Sequence, residues 1–264
     1  MLHYLKVWHA SARYSILRML MFRGDFFVWA LVELFWMTVN LLTIKVIFRH
    51  TESVAGWNEY EMILLVGTSM LIQRLLMGFF WSSIFEMGRN IRNGNFDYVL
   101  AQPGNVLFMA STRKLDPDSL LNTIVAASVI VYAARRLGLR PDAGDVLLYL
   151  GMIFAGLVIH YSILILSMSL SFWLRNSQGL EGGYFTLTEF SRLPREAFKR
   201  FVSLLFVWVL PVVVVSSAPA RMVVGRFGHD WKWIFGPPLF AAAWFVLAVF
   251  VFNRGLRRYA SASS

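Results

Sequence analysis

The chain has no cysteine among its 264 residues. That excludes disulfides, thiolate metal ligands and a cysteine nucleophile, and leaves the compartment open. Charge is scarce as well: Asp, Glu, Lys and Arg make up 15% of the sequence, where a soluble domain carries about a quarter. Acidic groups are the scarcer kind, fifteen against twenty-five basic. Signatures of catalysis are missing. There is no HExxH or other metal-ligand spacing, no GxSxG nucleophile turn, and no GxxxxGK[ST] loop to cradle the phosphates of a nucleotide. Five histidines are scattered (His3, His9, His50, His160, His229), and only His160 lies within an apolar run. Residues 1–25 lack the apolar core and small-residue cleavage site of a signal peptide, so none is expected.

What remains is apolar. Hydrophobic residues account for 58% of the chain, and the mean hydropathy is +0.59. Runs at about 26–48, 62–85, 119–134, 146–173, 201–217 and 237–253 read as membrane spans, since about 20 apolar residues cross about 30 Å of hydrocarbon. They are continuously apolar without period-2 alternation, which selects helices over a barrel. The expected fold is an all-α membrane protein with six transmembrane helices. The polar segments between them are too small for a soluble catalytic domain.

The net charge of +10 could indicate nucleic acid, but the basic residues cluster at the ends of apolar runs. With the N-terminus inside, sixteen of the twenty-five fall on cytoplasmic segments and seven on the opposite side. The positive-inside rule then places both termini in the cytoplasm. The cluster Arg135, Arg136, Arg140 runs against this assignment.

Residues 1–25 read as an interfacial amphipathic helix, with Leu2, Leu5, Trp8, Ala12, Ile16 and Met19 on the apolar stripe and Lys6, Arg13 and Arg18 off it. Residues 86–118 form a cytoplasmic segment rich in turn formers, including Asn93-Gly94 and Pro103-Gly104. Between those turns, Phe96, Val99 and Leu100 share one side of a short helix, with Asp97 in its first turn. Residues 174–200 read as a further cytoplasmic segment. Pro211 implies a kink in the fifth span. The aromatic segment 218–236 is too apolar for a free loop, and it reads as re-entrant on the outer side.

Ionisable and amide groups inside spans are costly and so are candidate functional residues. Glu33 and Asn40 lie on one face of the first span, and Gln73 and Arg74 lie near the middle of the second. Glu33 and Arg74 are at similar depth and can pair, as a strut between helices or as the polar lining of a substrate path. Lys45 is expected to snorkel to the outer interface. A lone His160 reads as a hydrogen-bonded core residue more readily than as a ligand.

The stretch GNFDYVLAQPGNVLF, following the second span, resembles the permease subunits of ABC exporters of the second type. In one bacterial branch the pattern is Gly-x-aromatic/Leu-Asp-x-x-Leu-x-x-Pro, matched here by Gly94, Phe96, Asp97, Leu100 and Pro103. The LPREAFKRF approach to span five, VLPVVVV, the SSAPA exit and the basic end NRGLRRYASAS extend the likeness along nearly the whole chain. The resemblance implies one permease domain over residues 1–264, paired with a second permease, a sister chain or an identical copy. Two cytoplasmic ATPases would carry Mg-ATP, since no cofactor is expected in this chain. Residues 90–108 would be the coupling helix, with Phe96, Asp97, Leu100 and Pro103 at the ATPase. The expected setting is the bacterial cytoplasmic (inner) membrane, and the expected cargo is hydrophobic or amphipathic. Two other classes stay open: a non-transporting scaffold or sensor, and a membrane-embedded lipid-modifying enzyme, for which no cluster of catalytic residues is found.

Overall fold

A computed structural model describes residues 2–174, 178–198, 211–225 and 231–259. Every regular element among them is helical. Helix α1 (Leu2–Met21) turns directly into α2 (Arg23–Phe48). A short loop leads to α3 (Glu59–Arg92), a continuous 34-residue rod roughly 50 Å long, interrupted by one π-helical turn at Met77–Trp81. Two short helices follow, α4 (Asp97–Leu100) and α5 (Val106–Ser111). Then come α6 (Pro117–Arg136) and α7 (Ala143–Phe172), the last turn of α7 being 3-10. Helix α8 (Gln178–Glu189) continues into 3-10 turns at Phe190–Arg192 and Arg195–Ala197, and α9 (Val212–Val223) and α10 (Trp231–Leu256) complete the order.

Local chemistry sets the helix starts at one end of the bundle, here the far end. Asn58 accepts from the Glu61 N–H at 2.9 Å while Glu61 accepts from the Asn58 N–H at 2.8 Å. Asp142 and Asp145 repeat this box at the start of α7. Between α6 and α7 the chain reverses through Gly138 at φ +68°, a left-handed position that glycine adopts at little cost. Arg136 closes that end over the rings of Tyr132 and Tyr60, at 5.4 and 6.0 Å.

Helices α2, α3, α6, α7 and the Ile234–Leu256 part of α10 are long and apolar enough to cross a bilayer. Packing makes two clusters. One joins the far half of α3 to α2 and α6, around Leu64, Leu65, Met70 and Ala126. The other joins the near half of α3 to α7, α9 and α10, around Ile72, Ile159, Leu164, Val213 and Phe252. Gly156 marks a close crossing: a Cβ there would lie 2.9 Å from Val215 Cγ1, 3.0 Å from Ile72 Cδ1 and 3.1 Å from the Val215 carbonyl. Helix α2 is loosely held, burying only Ala30, Met37 and Ile44, one residue every two turns.

Several expectations are met only in part, and others are corrected. Among the described residues five helices are long and apolar enough to span; of the fifth expected span, 201–217, residues 201–210 lie outside the described residues and the rest opens the shorter α9. Pro211 caps the start of α9, a position where its missing N–H costs nothing; the residues before it, over which a kink was expected, lie outside the described residues. In the expected re-entrant segment, 218–223 belong to α9 and 231–236 to α10, with 226–230 outside the described residues.

The largest difference concerns 174–200, expected on the cytoplasmic surface. From Gln178 the chain climbs back through the bundle. Tyr184 meets His160, Ser191 bonds Ser69 at 2.7 Å, and Glu196 accepts from the indole of Trp57 in the far loop at 3.0 Å. The buried stripe Tyr184, Thr188, Ser191 is helically spaced, and the charges between find partners inside. Helix α1 leaves Leu5 and Ile16 of the expected apolar stripe exposed and is fastened to the body by residues outside it. Tyr4 accepts from the Asn105 N–H and Ser15 from the Leu115 N–H, each at 3.0 Å, while Tyr4 and Val7 also pack on the core. Leu5, Leu17 and Leu20 are exposed.

Candidate functional site

A cavity of about 1180 Å³ opens between the α1–α2 elbow and the body of the molecule. One wall is α2, whose lining residues Phe26, Trp29, Glu33, Trp36 and Asn40 recur every three to four positions. The facing wall is α3 from Gln73 to Arg89, closed at the near end by Lys114–Ser119 and deeper in by Phe185, Glu189 and Arg192 of the α8 segment. It exists because α2 touches its neighbours along so narrow a stripe.

Four of the sequence candidates line this cavity. Arg74 Nη1 lies 2.5 Å from Glu33 Oε1, with both side chains about nine-tenths buried. The other donors to the Glu33 carboxylate come from α6: Ser119 Oγ at 3.0 Å and Asn122 Nδ2 at 2.8 Å. Asn40 and Gln73 are joined by a residue that the sequence reading left outside the spans. Arg192 donates from Nη1 to Asn40 Oδ1 (2.8 Å) and Glu189 Oε2 (2.8 Å), and from Nη2 to Gln73 Oε1 (3.2 Å). Glu189 and Arg192, three residues apart, were the available signal in the sequence.

At the near end, Asp116 accepts from Ser82 Oγ at 2.6 Å, and its N–H donates to the Gly78 carbonyl at 2.9 Å. Gly78 lies within the π turn, where the regular i+4 ladder is interrupted. Burial pushes the Asp116 carboxyl up to about 6, and the nearby Asp118 and Glu33 charges push the same way. His160 takes no part in the cavity. It is buried in α7 with Nδ1 3.0 Å from the Tyr184 hydroxyl.

The expected coupling residues lie together at the near end, apart from the cavity. Phe96 is fully buried, edge-on to Phe172 and Tyr259, so it anchors the turn and does not face outward. Tyr259 Oη accepts from the Phe96 N–H at 2.9 Å and also hydrogen-bonds the Asp97 side chain. That hydroxyl is pushed up by burial first and by the Asp97 charge. Tyr98, Leu100 and Pro103 remain exposed. Arg113 lies 4.7 Å over the Tyr98 ring, and Asn90 donates to its hydroxyl at 2.7 Å. Both chain ends meet this face, α1 through Asn105 and Leu115 and the C-terminal end through Phe96. Among the described residues there is no cluster of His, Asp and Glu arranged to hold a metal ion.

Comparison with known proteins gives one family. The model described as "ABC-2 family transporter protein" matches residues 34–263, and the chain belongs to that family. No curated protein and no solved structure matches it significantly.

Proposed function

We propose that this member of the ABC-2 transporter family is the permease subunit of an ATP-driven exporter. It would pair with a second permease, favoured as a sister chain, and dock two cytoplasmic ATPases that carry Mg-ATP. The near face, with both termini, would lie in the cytoplasm of a bacterial inner membrane, which is where the sequence's basic excess would put it. Hydrolysis is assigned to partners because the sequence has no phosphate-binding loop of its own.

The observation that carries the reading is the cavity. It leads from the near end to the Glu33–Arg74 and Arg192 groups in mid-bundle, and it is walled on one side by the loosely held α2. Charged groups in such a place are expensive unless paired or used. A hydrophobic or amphipathic cargo would enter from the cytoplasmic side. ATP-driven closure of the ATPases, transmitted through the exposed Tyr98–Pro103 turn, would move the walls.

The test is purification of the tagged chain in mild detergent with mass spectrometry of its companions, followed by reconstitution. The expected result is a soluble chain bearing GxxxxGK[ST] together with a second permease, and ATP-dependent export by the complex. Recovery of the intact chain with no ATPase, under conditions that preserve comparable complexes, would overturn this reading in favour of a scaffold.

A further inference from the structure

The deep end of the cavity is over-supplied with hydrogen-bond donors. Glu33 already has Arg74, Ser119 and Asn122 around its two oxygens. Arg192 is held by Asn40, Gln73 and Glu189, and Glu189 is itself 60% exposed. Yet Nε of Arg74 and Nε of Arg192 are both buried without an acceptor, a costly state for a charged donor. The two guanidiniums are close enough to repel each other. A cation entering here would find the Glu33 carboxylate taken, whereas an anion would find a pair of planar donors suited to carboxylate or phosphate.

Beside these groups the α2 wall is aromatic and open. Trp29 and Trp36 line the cavity while remaining 61% and 58% exposed. They offer a path along which an apolar chain can lie with its far end outside the protein. Nearer the mouth the charges are mixed, Arg18, Arg89 and Lys114 against Asp25, Asp116 and Asp118, so that region favours neither sign.

We infer that this is a binding site for an amphiphile carrying an anionic group, the acid held by Arg74 and Arg192 and the apolar chain lying along Trp29 and Trp36. The inference deepens the export reading and rests on it only for the fate of the ligand. The shared chemistry fits an anionic lipid headgroup or a free amphipathic acid.

The test needs neither ATPase nor ATP. The full chain is placed in phosphatidylcholine nanodiscs and titrated with dansylaminoundecanoic acid, reading energy transfer from tryptophan, against empty discs as background. The uncharged amide of the same probe is run in parallel. The acid should bind about tenfold or more tighter than the amide, and R192Q should weaken the acid by a similar factor. An unchanged melting temperature in the same discs reports that the variant is folded, and R192K should fall between. Displacement by phosphatidylglycerol would place the source among lipids. Displacement by a fatty acid but not by that lipid would place it among free amphipathic acids. Equal affinity for acid and amide, an R192Q variant that binds the acid like wild type, or displacement by inorganic phosphate at similar concentration would each overturn the inference. Because binding is measured on the chain alone, failure here leaves the exporter reading standing, and a missing ATPase leaves the binding result standing.

Discussion

At the residue scale, the cavity is governed by charges that are tolerable only in company. Arg74→Met leaves Glu33 buried with two neutral donors, and should lower stability by about 3–5 kcal/mol, the usual effect of orphaning one member of a buried pair. Adding Glu33→Gln should recover much of that loss, since no charge is then stranded. Thermal unfolding in detergent checks the order: wild type and double variant close together, Arg74→Met well below. Asp116 sets a pH dependence. Its folded carboxyl titrates near 6, above the roughly 3.9 of an unfolded chain, so between those values the folded state holds the extra proton. Stability from this group is therefore greatest at low pH and declines as pH rises through about 6, by at most about 3 kcal/mol. The wild type should melt higher at pH 5 than at pH 7 relative to Asp116→Asn, which lacks the titration. A constant difference between the two across that range would contradict the raised value.

At the element scale, the helices differ in how firmly they are held. Helices α3, α7 and α9 meet at Gly156, where the approaching groups include a backbone carbonyl that cannot turn aside. Gly156→Ala should cost about 1–3 kcal/mol by overpacking, despite alanine's better helix propensity. A melting temperature at or above wild type would show that the crossing is looser than described. Helix α2, by contrast, rests on Ala30, Met37 and Ile44 with the Glu33 and Asn40 contacts, and so is the wall best able to move. The π turn in α3 serves as a joint: it gives the Gly78 carbonyl to Asp116 and ties the start of α6 to the middle of the longest helix.

At the scale of the whole molecule, both chain ends converge on the turn that would face an ATPase. Tyr259 is more than 160 positions from Phe96 in sequence, yet it holds that residue's N–H and the Asp97 side chain. Under the exporter reading, Tyr259→Ala should leave the ATPase bound but lower transport per ATP hydrolysed, because the turn loses its backing. Leu100→Asp, on the exposed side of the same turn, should instead lose the ATPase from the purified complex. Co-purification and hydrolysis-to-transport ratios separate the two. If Leu100→Asp keeps its partner while Tyr259→Ala loses it, the outward face has been assigned to the wrong side of the turn.

The amino-acid order by itself determined that the chain is helical and built for a bilayer, that it carries no phosphate-binding loop, and that Glu33 and Arg74 lie at matching depth. Each follows from a local property: run length, residue type, or position along a helix. What it could not determine is where a polar stretch goes once its charges have partners. Segment 178–198 reads as surface because hydropathy counts each charge as though it were alone in lipid. In the fold Arg192 has Asn40, Gln73 and Glu189, and Glu196 has Trp57 and Arg221, so that penalty is largely cancelled and the chain runs inward. The orientation of Phe96 was equally beyond reach, because a four-residue helix has no stable face of its own and takes its direction from Tyr259 and Phe172. Spans are set by the transfer energies of neighbours in sequence, whereas the cavity, its arginines and the backing of the turn arise only from pairings between residues far apart in the chain.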